Sequence, residues 1–395
     1  MNETMNNDFT VVMRPGDDAA NDVDRTMRIA APRSDAATTG TVNADGPAPA
    51  AAPERKSDVE DLVSGVDINP YISLSLDASS HLESSLDSLD AKYALLTQFA
   101  EGGTASVSIT RDRNLRRLVA VKSLKKDSKD MPEKLDAFIT EAKVSAQLDH
   151  PGILPIYGLF RDPQNGIHLV MKLVDGKTLR EYLQNLVLNY RVRGVKALNE
   201  GVQLRKRLEL FLHVCDTIAY AHHRHVIHRD LKPENIMIGK YREVYVMDWG
   251  LAKVVAPDEK PPSPESTVSG TPRYFPPEVL LKKPLDLRSD IFTLGLILQE
   301  IVTLRDAVKG RDVKEIIDHI LKGEIEPVKH HFGRKIHPSL CAIIRKATAY
   351  RLEERYQTVD DLSEDLRRYM GGLSVSARPD TLWDKTKRLL LGHHL

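Results

Sequence analysis

The chain of 395 residues has only two cysteines, Cys215 and Cys341. Both fall in helical patterns far apart in sequence, which excludes a disulfide framework or a cysteine-rich metal centre and leaves reduced core thiols. Net charge is missing as well: 56 basic and 56 acidic side chains cancel. Such a chain has no general attraction for nucleic acid or anionic lipid, and its partners have to be recognised locally. No apolar run approaches the ~18 residues that a membrane span needs, and the opening MNETMNNDF lacks the basic and apolar regions of a signal peptide. The expectation is a cytoplasmic protein without a transmembrane segment, long enough for one large domain or two ordinary ones.

Residues 1 to 68 are rich in Ala, Asp, Pro, Gly and Thr, with GPAPAAAPERK at 46 to 56. They offer too little apolar surface to offset chain entropy, and the expectation there is disorder. Thr10 in DFTVVMRP and Thr26 in DRTMRIAAP are candidate phosphoacceptor or docking sites for a phosphothreonine-reading partner; chance in a low-complexity tail is the favoured reading. In the lead-in segment 69 to 92, SHLE is a capping box and Leu82, Leu86 and Leu89 recur at helical spacing, which predicts a short helix. From Tyr93 onward β-rich runs come first, LVAVKSL and IHLVMKLV among them, and after about residue 178 the pattern turns helical. Leu208, Phe211, Leu212, Cys215, Ile218 and Ala219 make one stripe, and DIFTLGLILQEIV is apolar nearly all round, the mark of a buried helix. Strands segregated from helices predict a two-part α+β architecture.

In LVAVKSL, alternation puts Leu118, Ala120, Lys122 and Leu124 on one face and Val119 and Val121 on the other. A lysine on an otherwise apolar face needs an anion. In DAFITEAKVSAQL, Phe138, Glu141, Ala142 and Ser145 share one side of a helix, so a carboxylate also points inward. Pairing Lys122 with Glu141 satisfies both and still lets the ammonium hold a phosphate. The sharpest signal is VIHRDLKPENIMIGKYREVYVMDWG, Val226 to Gly250. Asn235 and Asp248 flank two short strands whose turn, near Gly239 to Glu243, lies midway between them, so a hairpin brings their side chains together at its open end. With Asp230 nearby this is an oxygen-rich site suited to Mg2+, which takes few protein ligands and fills its shell with phosphate and water.

From about Tyr93 to Met370 the chain resembles a bacterial-type (Hanks-type) serine/threonine protein kinase, carried by HRDLKPEN, VAVK, DWG and a PPE segment in the family's order. The resemblance implies a bilobal fold, with an N-lobe of antiparallel β-sheet and one helix over about 93 to 174 and a mainly helical C-lobe over about 175 to 370. It also implies ATP as phosphate donor, Mg2+ with Mn2+ as an alternative, and protein substrates with Ser/Thr acceptors. Carried over residue by residue, Asp230 would accept or orient the acceptor hydroxyl and Lys232 would steady the γ-phosphate. Asn235 and Asp248 would ligate the metal; Lys122 would hold the α- and β-phosphates with Glu141 positioning it. Val107, Ala120, Met171, Leu173 and Met237 would line the adenine pocket, whose connecting segment MKLVDG has Lys172 where the family commonly shows Glu. In SGTPRYFPPE, Thr271 would contact Asp230 and Lys232, Glu278 would pair with Arg355, and Asp290 would brace the catalytic loop.

The glycine loop FAEGGTASV departs from the family's pattern, with Ala100 and Ala105 at two of its three glycine positions. Gly102 keeps the position closest to the transferable phosphates, and Gly103 keeps the turn pliant. Each alanine costs on the order of 1 kcal/mol where positive φ is needed, enough to weaken nucleotide binding without removing the chemistry. In the family an arginine such as Arg229 pairs with a phosphorylated activation segment; Ser263, Ser266, Thr267 and Ser269 are the candidates here. Lys232 favours Ser/Thr as acceptor. Rival readings are a pseudokinase scaffold and a small-molecule phosphotransferase, and GTPRYFPPE speaks against the second. The four histidines of AHHRHVIHRD are read as structural. In the tail 371 to 395, Leu382, Trp383, Lys385, Lys387 and Arg388 could form a basic amphipathic helix touching lipid, with packing on the domain or a protein contact favoured.

Overall fold

A computed structural model of the chain describes residues 92–101, 105–125, 132–162, 166–194, 200–255 and 270–379. Outside them lie the N-terminal region with Thr10 and Thr26, the lead-in segment up to residue 91, Gly102 and Gly103, the four activation-segment candidates Ser263 to Ser269, and the end of the tail.

The first part is a sheet of order β1-β2-β3-β5-β4, built from β1 (Tyr93–Glu101), β2 (Ala105–Asp112), β3 (Leu118–Leu124), β4 (Ile156–Arg161) and β5 (Ile167–Lys172), with every neighbouring pair antiparallel. Helix α1 (Pro132–Gln147) lies between β3 and β4 in sequence and buries Phe138, Glu141, Ala142, Val144 and Ser145. Its apolar side packs with Leu124, Ile167 and Leu169. The other face of the sheet is covered too, by Tyr93, Tyr157 and Phe160 around Val119, Val121 and Val170. That double cover explains why β3 is apolar at successive positions. Leu118, assigned inward by alternation, is instead 47% exposed, because it opens the strand rather than sitting in its centre.

The chain then crosses to β6 (Gly176–Thr178) and α2 (Leu179–Arg193), whose start carries a capping box: Thr178 Oγ1 accepts from Glu181 N, and Glu181 accepts from Thr178 N. Helix α3 (Glu200–His223) buries Leu208, Phe211, Cys215, Ile218 and Ala219. Strands β7 (Val226–Ile227), β8 (Ile236–Gly239), β9 (Val244–Val246) and β10 (Lys253–Val254) follow; β6, β8 and β9 form one small sheet, and β7 pairs with β10. After α4 (Pro277–Leu280) comes α5 (Arg288–Thr303), in which every residue from Ser289 to Thr303 is buried. A helix apolar all round has no solvent face to offer, and it forms the axis of the larger core. Helices α6 (Val313–Leu321), α7 (Pro338–Ala347) and α8 (Val359–Met370) pack around it. Cys215 and Cys341 are free thiols; burial pushes the Cys215 thiol up, so it stays protonated and unreactive. Among the described residues no helix is long and apolar enough to cross a membrane.

Candidate active site

Strand β3 and helix α1 hold the first pair. Lys122 Nζ donates to Glu141 Oε2 at 2.6 Å, in a setting that leaves the lysine side chain 21% exposed and the glutamate 10%. Burial pushes the Glu141 carboxyl up, and the charge of Lys122 opposes it. In the register β2 to β3, Val107 faces Lys122; Ala120 faces Met171 across β3 and β5. Met171 and Met237 belong to one apolar cluster with Leu154, Val174 and Tyr245. Val107, Ala120 and Met171 thus share the sheet face of Lys122, Met237 joins Met171 in its cluster, and Leu173 follows directly on β5. Lys172 turns to Tyr245, donating to its hydroxyl at 2.5 Å. Ala100 sits in β1 opposite Val107, just after an irregularity of register.

The loop between β7 and β8 is set by a carboxylate from the buried helix α5. Asp290 accepts from His228 N at 2.9 Å, Arg229 N at 3.1 Å and the His222 ring at 2.8 Å. Burial alone would raise Asp290, yet the bond from the His222 ring and the His228 N–H hold it below the usual range. These bonds fix Arg229 at a φ of 70°, a conformation a side chain adopts only when its surroundings over-determine it. His228 shares that role: its Nε2 faces the Met247 carbonyl at 3.1 Å, its Nδ1 accepts from Asp230 N at 3.3 Å, and its ring lies 4.5 Å from that of Trp249. One nitrogen donating and one accepting is the neutral tautomer, in keeping with a ring that burial holds below the usual range. Trp249, from DWG, is 1% exposed and donates to Val246 O at 3.2 Å.

Asp230 follows. Its Oδ2 accepts from Lys232 Nζ at 2.7 Å and Asn235 Nδ2 at 3.1 Å, and its Oδ1 accepts from Thr271 N at 3.3 Å. Lys232 Nζ also donates to Thr271 Oγ1 at 3.1 Å. Burial pushes Asp230 up against the pull of Lys232, and neighbouring Asp248 adds to the push. The hairpin closes as its turn chemistry dictates: Gly239 N donates to Glu243 O, and Arg242 takes a positive φ. At its open end Met247 N donates to Asn235 O at 2.8 Å, which places Asn235 against the residue preceding Asp248. Asp248 has a φ of 62°. Burial would raise its carboxyl, but Lys122, Lys232 and the Gly250 N–H hold it below the usual range. With Nδ2 of Asn235 committed to Asp230, its amide oxygen remains to join the Asp248 carboxylate in a hard, oxygen-only donor pair. This donor set fits a divalent cation with few protein ligands.

The segment after the loop is anchored separately. Arg355 forks onto Glu278 through Nη1 and Nη2, each at 2.8 Å, and donates further to the carbonyls of Ala349 and Arg288. Ser289 Oγ completes the Glu278 carboxylate at 2.8 Å. Both charges are buried and fully hydrogen-bonded, the condition under which such a pair is tolerated. A second arginine was not legible in the sequence. Arg180, in the first turn of α2, donates to Glu234 Oε1 at 2.7 Å, to Glu300 Oε2 at 3.1 Å and to the Tyr274 hydroxyl. It thereby ties α2 to the catalytic loop, to α5 and to the segment GTPRYFPPE. Glu234 inside HRDLKPEN, an acid with no assigned role, was the signal that a cation would be found there. The histidines of AHHRHVIHRD part company, His222 to Asp290, His228 to Met247 O and His223 to Asp360.

Residues 93–366 match the family model described as the protein kinase domain. Among curated proteins, the chain is 31% identical over 326 residues to the serine/threonine-protein kinase PknD of Protochlamydia amoebophila, covering 77% of this chain and 33% of that protein. It is 30% identical over 297 residues to PknD of Chlamydia pneumoniae, covering 71% and 31%. To the serine/threonine-protein kinase PknB of Mycolicibacterium smegmatis it is 32% identical over 307 residues, covering 77% and 47%. The chain thus spans about a third to a half of the length of these relatives.

Proposed function

We propose, for a chain that belongs to the protein kinase domain family and to its bacterial serine/threonine type, that it transfers the γ-phosphate of ATP to Ser/Thr hydroxyls of proteins, itself included. The observation that carries this reading is the hydrogen-bonded group of Asp230, Lys232, Asn235 and Thr271, with Asp248 alongside and the Lys122–Glu141 pair on the facing sheet. In this reading Asp230 Oδ2 takes or orients the acceptor proton, its burial-raised carboxyl favouring uptake. Lys232 steadies the charge that builds on the transferred group, and Lys122, held by Glu141, binds the nonreacting phosphates. Positioning and charge neutralisation are the whole of the catalysis such a reaction asks for. The family implies a divalent cation; Mg2+ is our assignment, with Mn2+ as substitute, held by Asn235 and Asp248 and supplying neutralisation of phosphate charge when bound.

Val107, Ala120, Met171, Leu173 and Met237 enclose the adenine, with Gly102 and Gly103 over the phosphates. Phosphate on Ser263, Ser266, Thr267 or Ser269 orders the activation segment through Arg229, and phosphorylated Thr10 or Thr26 offers itself to a phosphothreonine reader. Two free thiols fit a reducing compartment, the cytoplasm. Incubation with labelled ATP, Mg2+ and a generic basic protein tests the reading. Wild type transfers label, and Asp230→Asn lowers the rate by about 10^2- to 10^4-fold. Label transfer by neither protein would make the chain a binding scaffold and end this reading.

A further inference from the structure

Beside the clamp of Arg180 a cavity of about 400 Å³ opens between α2 and the end of α5. Its floor is apolar, made by Leu183, Val187 and Leu188 of α2 and by Leu304. Leu304 caps α5 with a φ of 56°, a conformation unusual for leucine, which brings an apolar side chain to the wall. The floor runs on to solvent: Leu188 is 53% exposed and Val192, one turn further along α2, 83%. The lining charges fall into two groups. Buried Glu300 and half-exposed Asp306 are offset by Arg180, with Arg273 also on Asp306. Arg191 and Arg305 make up the other group. Arg191 forms no ion pair among the described residues, and Arg305 donates to a neutral carbonyl, that of His331, at 3.1 Å. These two arginines therefore leave positive charge beside an apolar floor.

We infer that this cavity is a docking subsite for a segment of the protein substrate that carries an apolar side chain next to an acidic one. The inference rests on the proposed kinase reading for the identity of its occupant, and on charge complementarity and continuity with the catalytic loop for its place. Arg180 lines the cavity and bonds Glu234, four residues after Asp230. A second copy of the chain docked by a twofold axis at this patch would bring Arg191 and Arg305 against themselves, and a basic segment would meet the same repulsion.

The test is fluorescence polarisation of full-length protein with labelled peptides. Each holds a threonine acceptor and, on either side across a glycine–serine spacer, Asp-Leu or, as control, Gly-Gly. The wild type binds one Asp-Leu peptide about tenfold tighter than its control, the size of one apolar contact plus one charge pair. Leu188→Asp and Arg191→Glu, both at exposed positions, each abolish the advantage. In the transfer assay the same variants raise KM for that peptide by the same factor while kcat holds. Equal binding of Asp-Leu and Gly-Gly peptides by the wild type overturns the inference. So does an Arg191→Glu effect confined to self-association, or to release of the chain's own residues 1–68, since either gives the cavity to another occupant. Binding is read without turnover, so a chain that docks the peptide but transfers no phosphate sinks the proposed function alone.

Discussion

A methyl group on Gly270 would come within 2.8 Å of Phe275 Cε1 and 3.3 Å of Asp230 Oδ1, at a φ of +127° that side chains rarely adopt. The backbone there delivers the next residue, Thr271, whose N–H and hydroxyl meet Asp230 and Lys232. Gly270→Ala is therefore expected to act on the site before it acts on the fold. The strain is on the order of 1–3 kcal/mol, and a shift of Thr271 lets Asp230 rotate, so turnover falls on the order of tenfold or more. Thermal unfolding moves by only a few degrees, and KM for ATP stays near wild type. Measured kcat equal to wild type would show that Asp230 does not depend on this close approach. Charges inside apolar patterns were readable at this scale: Lys122 and Glu141 each sat where an unpaired ion could not, and the fold pairs them at 2.6 Å. Arg180 was not readable, because a basic residue in the first turn of a helix looks like any solvated side chain until its three partners from distant segments are in place.

Helix α5 shows how one element carries several charges through a core. Asp290 is satisfied at its start and Glu300 near its end, where Arg180 and the Tyr274 hydroxyl surround the carboxylate. Burial is the larger influence on Glu300, and its carboxyl is pushed up to about 7. The unfolded chain loses this proton near 4.5, so between those values the folded state holds more protons than the unfolded one. By linkage the contribution of Glu300 to stability falls as pH rises through that window and is flat above it. A shift of this size amounts to about 3 kcal/mol. His228 works in the opposite direction, because burial depresses its proton affinity and the unfolded chain gains protons below about 6.5. Only a difference isolates Glu300. Urea unfolding at pH 5, 6, 7 and 8 is expected to show the stability of wild type relative to Glu300→Gln declining as pH rises, by about 3 kcal/mol at most. A difference that does not change with pH would mean that Glu300 is ionised throughout.

At the scale of the whole molecule, periodicity was the part of the sequence that carried most. The alternation in LVAVKSL, the stripe on α3 and the all-round apolar α5 each imply what must cover them, and segregated strands and helices leave few ways to do it. What periodicity does not carry is where packing stops, because short polar segments are ordered by hydrogen bonds rather than by an apolar pattern. The domain was expected to end at Met370, with packing of the tail on it among the favoured readings, and the chain stays packed for some residues beyond α8. Val375 is 3% exposed, and Asp365 of α8 accepts from Ser376 N at 2.6 Å, Ser376 Oγ at 2.8 Å and Ala377 N at 2.9 Å. Burial would raise Asp365, but these donors and the Tyr356 hydroxyl hold it below the usual range. A chain ended after Met370 loses three of those four donors and uncovers the floor beneath Val375, while one ended after Pro379 keeps both. The shorter chain is expected to be about 3 kcal/mol less stable than the longer one, which lowers Tm by roughly 5 °C for a domain of this size. The loss grows as pH rises toward the ordinary carboxylate value of 3.8 and is flat above it, because the donors favour the ionised form of Asp365 in the longer chain and are missing from the shorter one. Equal Tm for the two chains at neutral pH would make residues 371–379 an appendage and place the end of the cooperative unit at α8.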